Sequence, residues 1–427
     1  MSETSVNCPN CGNIVPVDDG YIPWCEKCNW NINPEVYYQK EKNAFDAFYE
    51  KIGMASKERL FSKIMKENCI IHKTTPYTVL AYLISSIIYL PSIYLIMASF
   101  YILFKLDFIS GSPFISGAPH KYAISVILFS LGIGILPKFR KAKEIELMRN
   151  EFPALYKCVD MISDRLNSKR IKQLYANYDF NACDAKTGIR QKNHIVLGIP
   201  FFSILDIDEK IAVIAHKIAH CRNNDVSRQW FVNLAMNSLS QWYDKLSAYG
   251  RLIVTMPVTW PLSMLLKMII HILGLVIWKD CQKAEYFADG QAAGIAGVDA
   301  TISASAKFYF RPAFFEALKQ AVNFSNTYNL FDLFRMRVEN IPDREIQRVK
   351  MSEQIETAGM HSSHPPALLR NRFISEKIKT EESLKPSEED IRQIGIEFGK
   401  AEELIQYRLL NEYREYKAFD YYGNLIL

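Results

Sequence analysis

Ile211-Ala-Val-Ile-Ala-His216-Lys217-Ile218-Ala219-His220 reads as one helix with its chemistry on one side. The isoleucines and alanines form a face for burial, while His216 and His220, four residues apart, lie one above the other a turn apart. From there both imidazoles reach one metal ion. Ordinary core or surface histidines also fall at this spacing by chance, and there are 8 histidines in 427 residues. The pair alone decides little.

A second stretch, Asp280-Cys-Gln-Lys-Ala-Glu285-Tyr-Phe-Ala-Asp289, changes that. Glu285 and Asp289 are again one turn apart, on a strip flanked by Ala284, Phe287 and Ala288, a poor setting for two solvated acids. A two-histidine zinc site needs a third protein ligand and a carboxylate that orients a histidine. Glu285 suits the first role and Asp289 the second. In H-E-x-x-H helices the residue after the first histidine is a glutamate that takes a proton from zinc-bound water. Here that general-base position holds Lys217. An ammonium reverses the sign of the base beside a dication, and its longer stem misplaces the nitrogen. Loss of a general base typically costs about 10²–10⁴-fold.

These motifs resemble the HtpX-like and CAAX-prenyl-protease-like membrane zinc metallopeptidases of gluzincin type, whose H-E-x-x-H is followed by an E-x-x-x-D helix. The resemblance covers roughly residues 145–375. It implies that Asn181 and the strand His194-Ile195-Val196-Leu197-Gly198 form a substrate-binding edge, and that Asp225 stands where the family often has an acid. It also implies that His364, in His364-Pro365-Pro366, and Arg370 help hold the oxyanion. Lys217 is the departure from the family pattern.

A second metal site opens the chain. Cys8-Pro-Asn-Cys11 and Cys25-Glu-Lys-Cys28 are two CxxC pairs with 13 residues between them, a spacing that closes a tetrahedral structural zinc site. Two disulfides are disfavoured if this end is cytoplasmic. The expected cofactors are therefore two zinc ions, one in the ribbon and one in the HxxxH…E site.

Residues 77–104 are apolar and long enough for a tilted span, and 122–136 are at the limit for a second. Lys63, Lys66 and Lys73 precede the first, and Lys138, Arg140, Lys141 and Lys143 follow the second. The positive-inside rule then places both termini and the metallopeptidase-like domain in the cytoplasm of a multi-pass cell-membrane protein. A third apolar stretch, 252–278, separates the two ligand segments. One crossing would part Glu285 from His216, two need about forty residues, and Pro257 and Pro261 interrupt it. The expectation is a segment that dips into the membrane or lies along it.

The fold expected is mainly α (α+β): a zinc ribbon over 1–35, an amphipathic linker over 36–76, a transmembrane hairpin over 77–136, a helical zincin-type domain with a small edge-strand sheet over 145–375, and a charged helical tail over 376–427. A net charge of +5 is modest for this length and does not argue for nucleic acid, so the expected partners are the lipid bilayer and a peptide or protein client. Two functions fit: a membrane zinc endopeptidase impaired at Lys217, or a zinc-binding pseudoprotease that captures peptides.

Overall fold

The structure, a computed structural model, describes residues 5–18, 21–32, 56–66, 76–109, 119–136, 144–187, 192–223, 225–249, 256–323, 329–355, 365–379 and 382–423. Most of the linker expected over 36–76 and the loop after the first span lie outside these residues. Strands β1 (Ser5–Asn7) and β2 (Ile14–Pro16) pair at the amino end, followed by helices α1 (Pro76–Ile109) and α2 (Pro119–Ile135). Next come β3 (Ile145–Leu147), α3 (Pro153–Arg165), β4 (Gln173–Asn177), β5 (Ala182–Thr187) and β6 (Lys192–Gly198). Helices α4 (Ile199–Phe202), α5 (Ile207–Arg222), α6 (Asp225–Tyr249), α7 (Met256–Ala296) and α8 (Val298–Ala306) then run to a 3₁₀ turn at Lys307–Phe310. The chain closes with α9 (Arg311–Asn323), α10 (Leu330–Glu339), α11 (Asp343–Ile355), α12 (Ala367–Lys377) and α13 (Glu388–Gly423). It is mainly helical and folds as two compact units, one of residues 1–71, 143–225 and 282–427, the other of 72–142 and 226–281.

The first unit is built on a sheet of order β3-β4-β6-β5, in which β4 and β6 run parallel and the other pairs antiparallel. In β6, Ile195, Val196 and Leu197 are all buried, as an inner strand covered on both faces requires. Helix α3 packs on the sheet through Leu155, Val159 and Ile162, and its Tyr156 hydroxyl bridges Leu147 O at 3.0 Å and Leu174 N at 2.9 Å. Helix α13 adds Ile394, Phe398, Ala401 and Ile405 to the same core, one apolar stripe at helical spacing. Its Glu397 is fully buried and accepts from Ala154 N at 2.9 Å and Leu155 N at 2.8 Å. Those N–H groups open α3, where no preceding turn can satisfy them and a negative charge is welcome. The segment expected as an accessory tail thus completes the core through its apolar stripe, with Glu397 buried beside that stripe and most of its other charged residues outside.

The second unit has the opposite polarity. Ser92 Oγ donates to Gly132 O at 2.7 Å and Ser99 Oγ to Ser125 O at 2.8 Å, both buried between α1 and α2. A Cβ on Gly132 would lie 2.7 Å from Ile96 Cγ1, so the absent side chain permits the close approach. Ala81, Val232, Leu239, Leu266 and Leu273 join α1, α6 and α7. Meanwhile Leu83, Tyr94, Met97, Val126, Trp260 and Met268 are exposed. Among the described residues two helices are long and apolar enough to cross a membrane, Pro76–Phe104 and Thr259–Ala296, whereas Lys121–Ile135 is apolar but shorter. A polar-seamed helix cluster with an apolar outside suits lipid rather than water.

Within 252–278 the described residues show no break at the prolines. From Met256 the chain is continuous helix through Pro261 and on to Ala296. Pro257 is the second helical residue, where no N–H bond is lost, whereas Pro261 is inside the helix, which runs on without that one bond. The 25 residues of α6 immediately before it are helical as well. The exposed positions of α6, among them Asn233, Asn237, Ser240, Asp244 and Lys245, are polar, and α6 is not one of the described helices apolar enough to span.

Replacing Glu397 with Ala should lower stability by about 2–3 kcal/mol, since two buried N–H groups lose a charged acceptor. Denaturant unfolding of the detergent-solubilised protein measures this, with Glu389→Ala, in an exposed pair with Arg392, as a control expected to change little.

Candidate metal centre and its cleft

Helix α5 begins with a capping box that fixes where its histidines fall. Asp206 Oδ1 accepts from Glu209 N at 2.9 Å, and Glu209 Oε2 accepts from Asp206 N at 2.7 Å. The same Glu209 carboxylate, only 1% exposed, is held by Ser303 Oγ and Lys307 Nζ, each at 2.6 Å. Ile211, Ile214, Ala215 and Ile218 then bury one face of α5 in the core, leaving His216 and Lys217 on the cleft side. The D-x-x-E spacing at Asp206 is a sequence signal for this start, but Ser303 and Lys307 carry no pattern linking them to it.

The two ligand segments meet at the middle of α5. His216 Nε2 lies 3.1 Å from His220 Nε2 and 3.6 Å from Glu285 Oε2, and His220 Nε2 lies 3.5 Å from Glu285 Oε1. Donors about 3.3 Å apart surround a tetrahedral zinc with bonds near 2.0–2.1 Å, so the three residues fit such an ion. His216 Nδ1 is 3.0 Å from Asp289 Oδ1, which places the ring proton on Nδ1 and turns the Nε2 lone pair toward the other donors. Burial pushes the His216 imidazole down to about 4, so it is the neutral, ligating form at neutral pH.

Asp289 is gripped from a third element. Arg370 on α12 donates from Nε to Asp289 Oδ2 at 2.6 Å and from Nη2 to Oδ1 at 2.5 Å, and Nη2 is 3.6 Å from Glu285 Oε2. Burial alone would lower the guanidinium's pKa, but the Asp289 charge raises it instead. In this arrangement Arg370 orients the carboxylate that orients His216. Its partner in the sequence-based assignment, His364, falls outside the described residues. Helix α12 is seated by Phe373, whose ring meets Tyr286 at 5.3 Å.

A cleft of about 280 Å³ opens over these groups, and its polar lining includes Asn181, His216, Lys217, Glu285, Arg370 and Asn371. Val213, Ala304, Phe308 and Ile374 add apolar lining. Asn181 is placed by Gly198, where a Cβ would lie 2.0 Å from Asn181 O and 2.1 Å from Asp179 O. Only glycine lets the chain pass that closely. The substrate-edge role expected for His194, Ile195, Val196 and Leu197 does not hold. They sit in β6, between β4 and β5, with their backbone already paired. The open edge beside the cleft is β5, whose first residue, Ala182, lines it. The more apolar β6 was the more visible strand in the sequence, and being apolar is why it lies inside.

In the ribbon, the Sγ atoms of Cys8, Cys11, Cys25 and Cys28 all lie within 4.8 Å of one another, with Cys8–Cys28 at 3.5 Å and Cys11–Cys25 at 3.6 Å. Those separations are too long for disulfides and near the roughly 3.8 Å edge of a ZnS₄ tetrahedron. Gly12 and Asn29, each just after the second cysteine of a pair, are left-handed at φ 70° and 58°. The ribbon docks within its own chain on α11: Arg344 binds Glu26 Oε1 at 3.2 Å and covers the buried Trp24 ring at 5.0 Å, while Arg348 donates to Ile32 O at 2.6 Å.

The family model for "Peptidase family M48" matches residues 151–378, more than half of the 427-residue chain. Comparison with curated proteins and with solved structures returns no match.

Arg370→Met should weaken zinc binding at the histidine site by about 10–100-fold, because an unmatched Asp289 no longer holds His216 in place. Competition with a chromophoric chelator reads this. The ribbon should keep its own equivalent, and a doubly substituted His216→Ala, His220→Ala protein should lose one zinc of two.

Proposed function

Because the chain belongs to peptidase family M48, we propose that it is a membrane-anchored zinc metallopeptidase-type protein whose cleft binds extended peptide and whose hydrolytic power is curtailed at Lys217. The observation that carries this reading is the place of Lys217. It lines the same cleft as His216 and Glu285, at the point where the family's chemistry needs a proton acceptor.

The residues divide the work as follows. His216, His220 and Glu285 would hold the ion, which supplies a Lewis acid for a peptide carbonyl and for water. Asp289 keeps the His216 proton on Nδ1, and Arg370 keeps Asp289 ionised and in place. The open edge of β5 offers backbone groups to an extended chain, with side chains falling alternately toward the cleft. Asn181, at the start of that strand, can donate an amide to the carbonyl that reacts. A carboxylate at residue 217 would take the proton that attack releases; a lysine ammonium has no lone pair to take it. Recognition is thereby separated from turnover, and capture of a peptide or unfolded client remains.

Membrane anchoring rests on the second unit, with α1, α2 and the first half of α7 as its lipid-facing helices. His216 and Glu285 can share one ion only if the segment between them returns to the side it left. On this topology both termini are cytoplasmic. An impermeant thiol reagent should label a cysteine placed at Ser112 in intact cells and not one placed at Ser387. External labelling at Ser387 would overturn it.

Lys217→Glu should raise cleavage of an unfolded protein substrate by at least about 10²-fold over the natural chain, whose own activity should be near background. Rates measured on the purified, zinc-loaded forms decide this. Cleavage by the lysine form that the glutamate does not improve would show that another group accepts the proton.

A further inference from the structure

We propose that the amino-terminal arm is a working part of the metal centre: the ribbon's zinc, through Arg348, and the ring of Phe61 brace α12, so that Arg370 keeps Asp289 in place and the histidine site holds its ion firmly. The inference rests on the reading of both ligand clusters as zinc sites and adds a coupling between them.

Arg370 can orient Asp289 only while α12 stays where it is. That helix has 11 residues, too few to be stable alone, so its place is set by what it packs against. It meets α7 through Phe373, whose ring lies 5.3 Å from Tyr286, the residue next to the ligand Glu285. Tyr286 is buried, and a second ring, Phe61, lies 6.1 Å from it. Phe61 is itself buried, in a helical stretch at 56–66, and the Arg372 guanidinium sits over its ring at 5.6 Å. One aromatic ring from the amino-terminal arm thereby touches both α7 and α12 and staples them together. Helix α12 also packs against α11, where Lys350 shares a groove with Leu368 and Asn371, the neighbour of Arg370.

Helix α11 is in turn the seat of the ribbon. Arg348 is aligned by two hydrogen bonds of 2.7 Å to Glu345 and donates to Ile32 O at 2.6 Å, while Arg344 reaches Glu26 and covers Trp24. Trp24 and Glu26 flank Cys25, whose N–H donates to Trp30 O at 3.0 Å within the same knuckle. A knuckle of this kind keeps its shape through its metal. Emptying the ribbon therefore takes from α11 the groups that its two arginines bind, and the helix that carries Arg370 loses part of its support. All of these residues belong to the first compact unit.

Competition with a chromophoric chelator, on the full-length protein in detergent, reads the zinc affinity of the histidine site, and Co²⁺ absorption bands read its geometry. Cys25→Ser with Cys28→Ser should cost one zinc equivalent and weaken the histidine site by at least about fivefold. Arg348→Met and Phe61→Ala, which keep the four cysteines, should weaken it likewise and shift the Co²⁺ bands, whereas Arg348→Lys should keep most of the natural affinity. Thermal melts identify the folded variants; should the cysteine variant fail to fold, Arg348→Met and Phe61→Ala decide. An unchanged histidine-site affinity in either folded protein would overturn the coupling while leaving two zinc sites. Two equivalents retained by the cysteine variant would overturn the ribbon as a zinc site and the coupling with it. Two equivalents retained by the His216→Ala, His220→Ala protein would overturn the reading of the metal centre itself.

Discussion

A buried carboxylate without matched charge is among the costliest groups a protein can carry, and Asp289 is 2% exposed. Its answer comes from two directions, the His216 ring at 3.0 Å and the Arg370 guanidinium at 2.5 and 2.6 Å. These residues lie on α5, α7 and α12, far apart in the chain. None of the three helices can shift without leaving a charge unmatched, so the cost of breaking the triad holds the three elements in register. Glu285, one turn before Asp289, inherits that rigidity, and with it the ligand geometry. Around the triad the same economy repeats: Glu209 ties the start of α5 to Ser303 and Lys307, and Glu397 ties α13 to α3. The first unit is organised as much by matched buried carboxylates as by its apolar core.

What could be read in the sequence was what local spacing encodes. Histidines four apart, acids four apart and paired CxxC motifs each specify neighbours within one turn or one knuckle. Their donor atoms do come together in the fold. The apolar stretch at 77–104 announced a long helix for the same reason. Illegible parts depend on partners distant in the chain. Nothing near Arg370 shows that it will bind Asp289, and nothing near Glu397 shows that its acceptor atoms serve α3. Strand order is likewise non-local: β5 and β6 are neighbours in sequence, but which of them is left as the edge depends on the pairing of β6 with β4. The break read at Pro257 and Pro261 is absent: the first stands at the helix start, and the second is carried inside the helix at the loss of one bond.

Lys217 affects chemistry far more than architecture. It lies on the cleft side of α5, away from the face that carries Ile211, Ile214, Ala215 and Ile218 into the core. The capping box, the Asp289 triad and the seat of α12 are all built from other residues. A change of charge there falls on the cleft and not on the apolar face of the helix. Such a position is one where a scaffold can exchange turnover for recognition in a single step.

The first unit is assembled from residues 1–71, 143–225 and 282–427, with the apolar segments of the second unit between them. A ribosome delivers these pieces in order. When His216 and His220 emerge, Glu285 and Asp289 have yet to be made, and α6 and the first half of α7 must come out in between. The N–H groups of Ala154 and Leu155 wait longer still, because Glu397 follows them by 243 and 242 residues. This domain cannot close co-translationally in the way a contiguous one does, so its half-made sheet and helices must be kept from wrong partners until late in synthesis. Insertion of the apolar helices into a bilayer would remove the most adhesive part of the nascent chain first, leaving the polar pieces to find one another on a tethered surface.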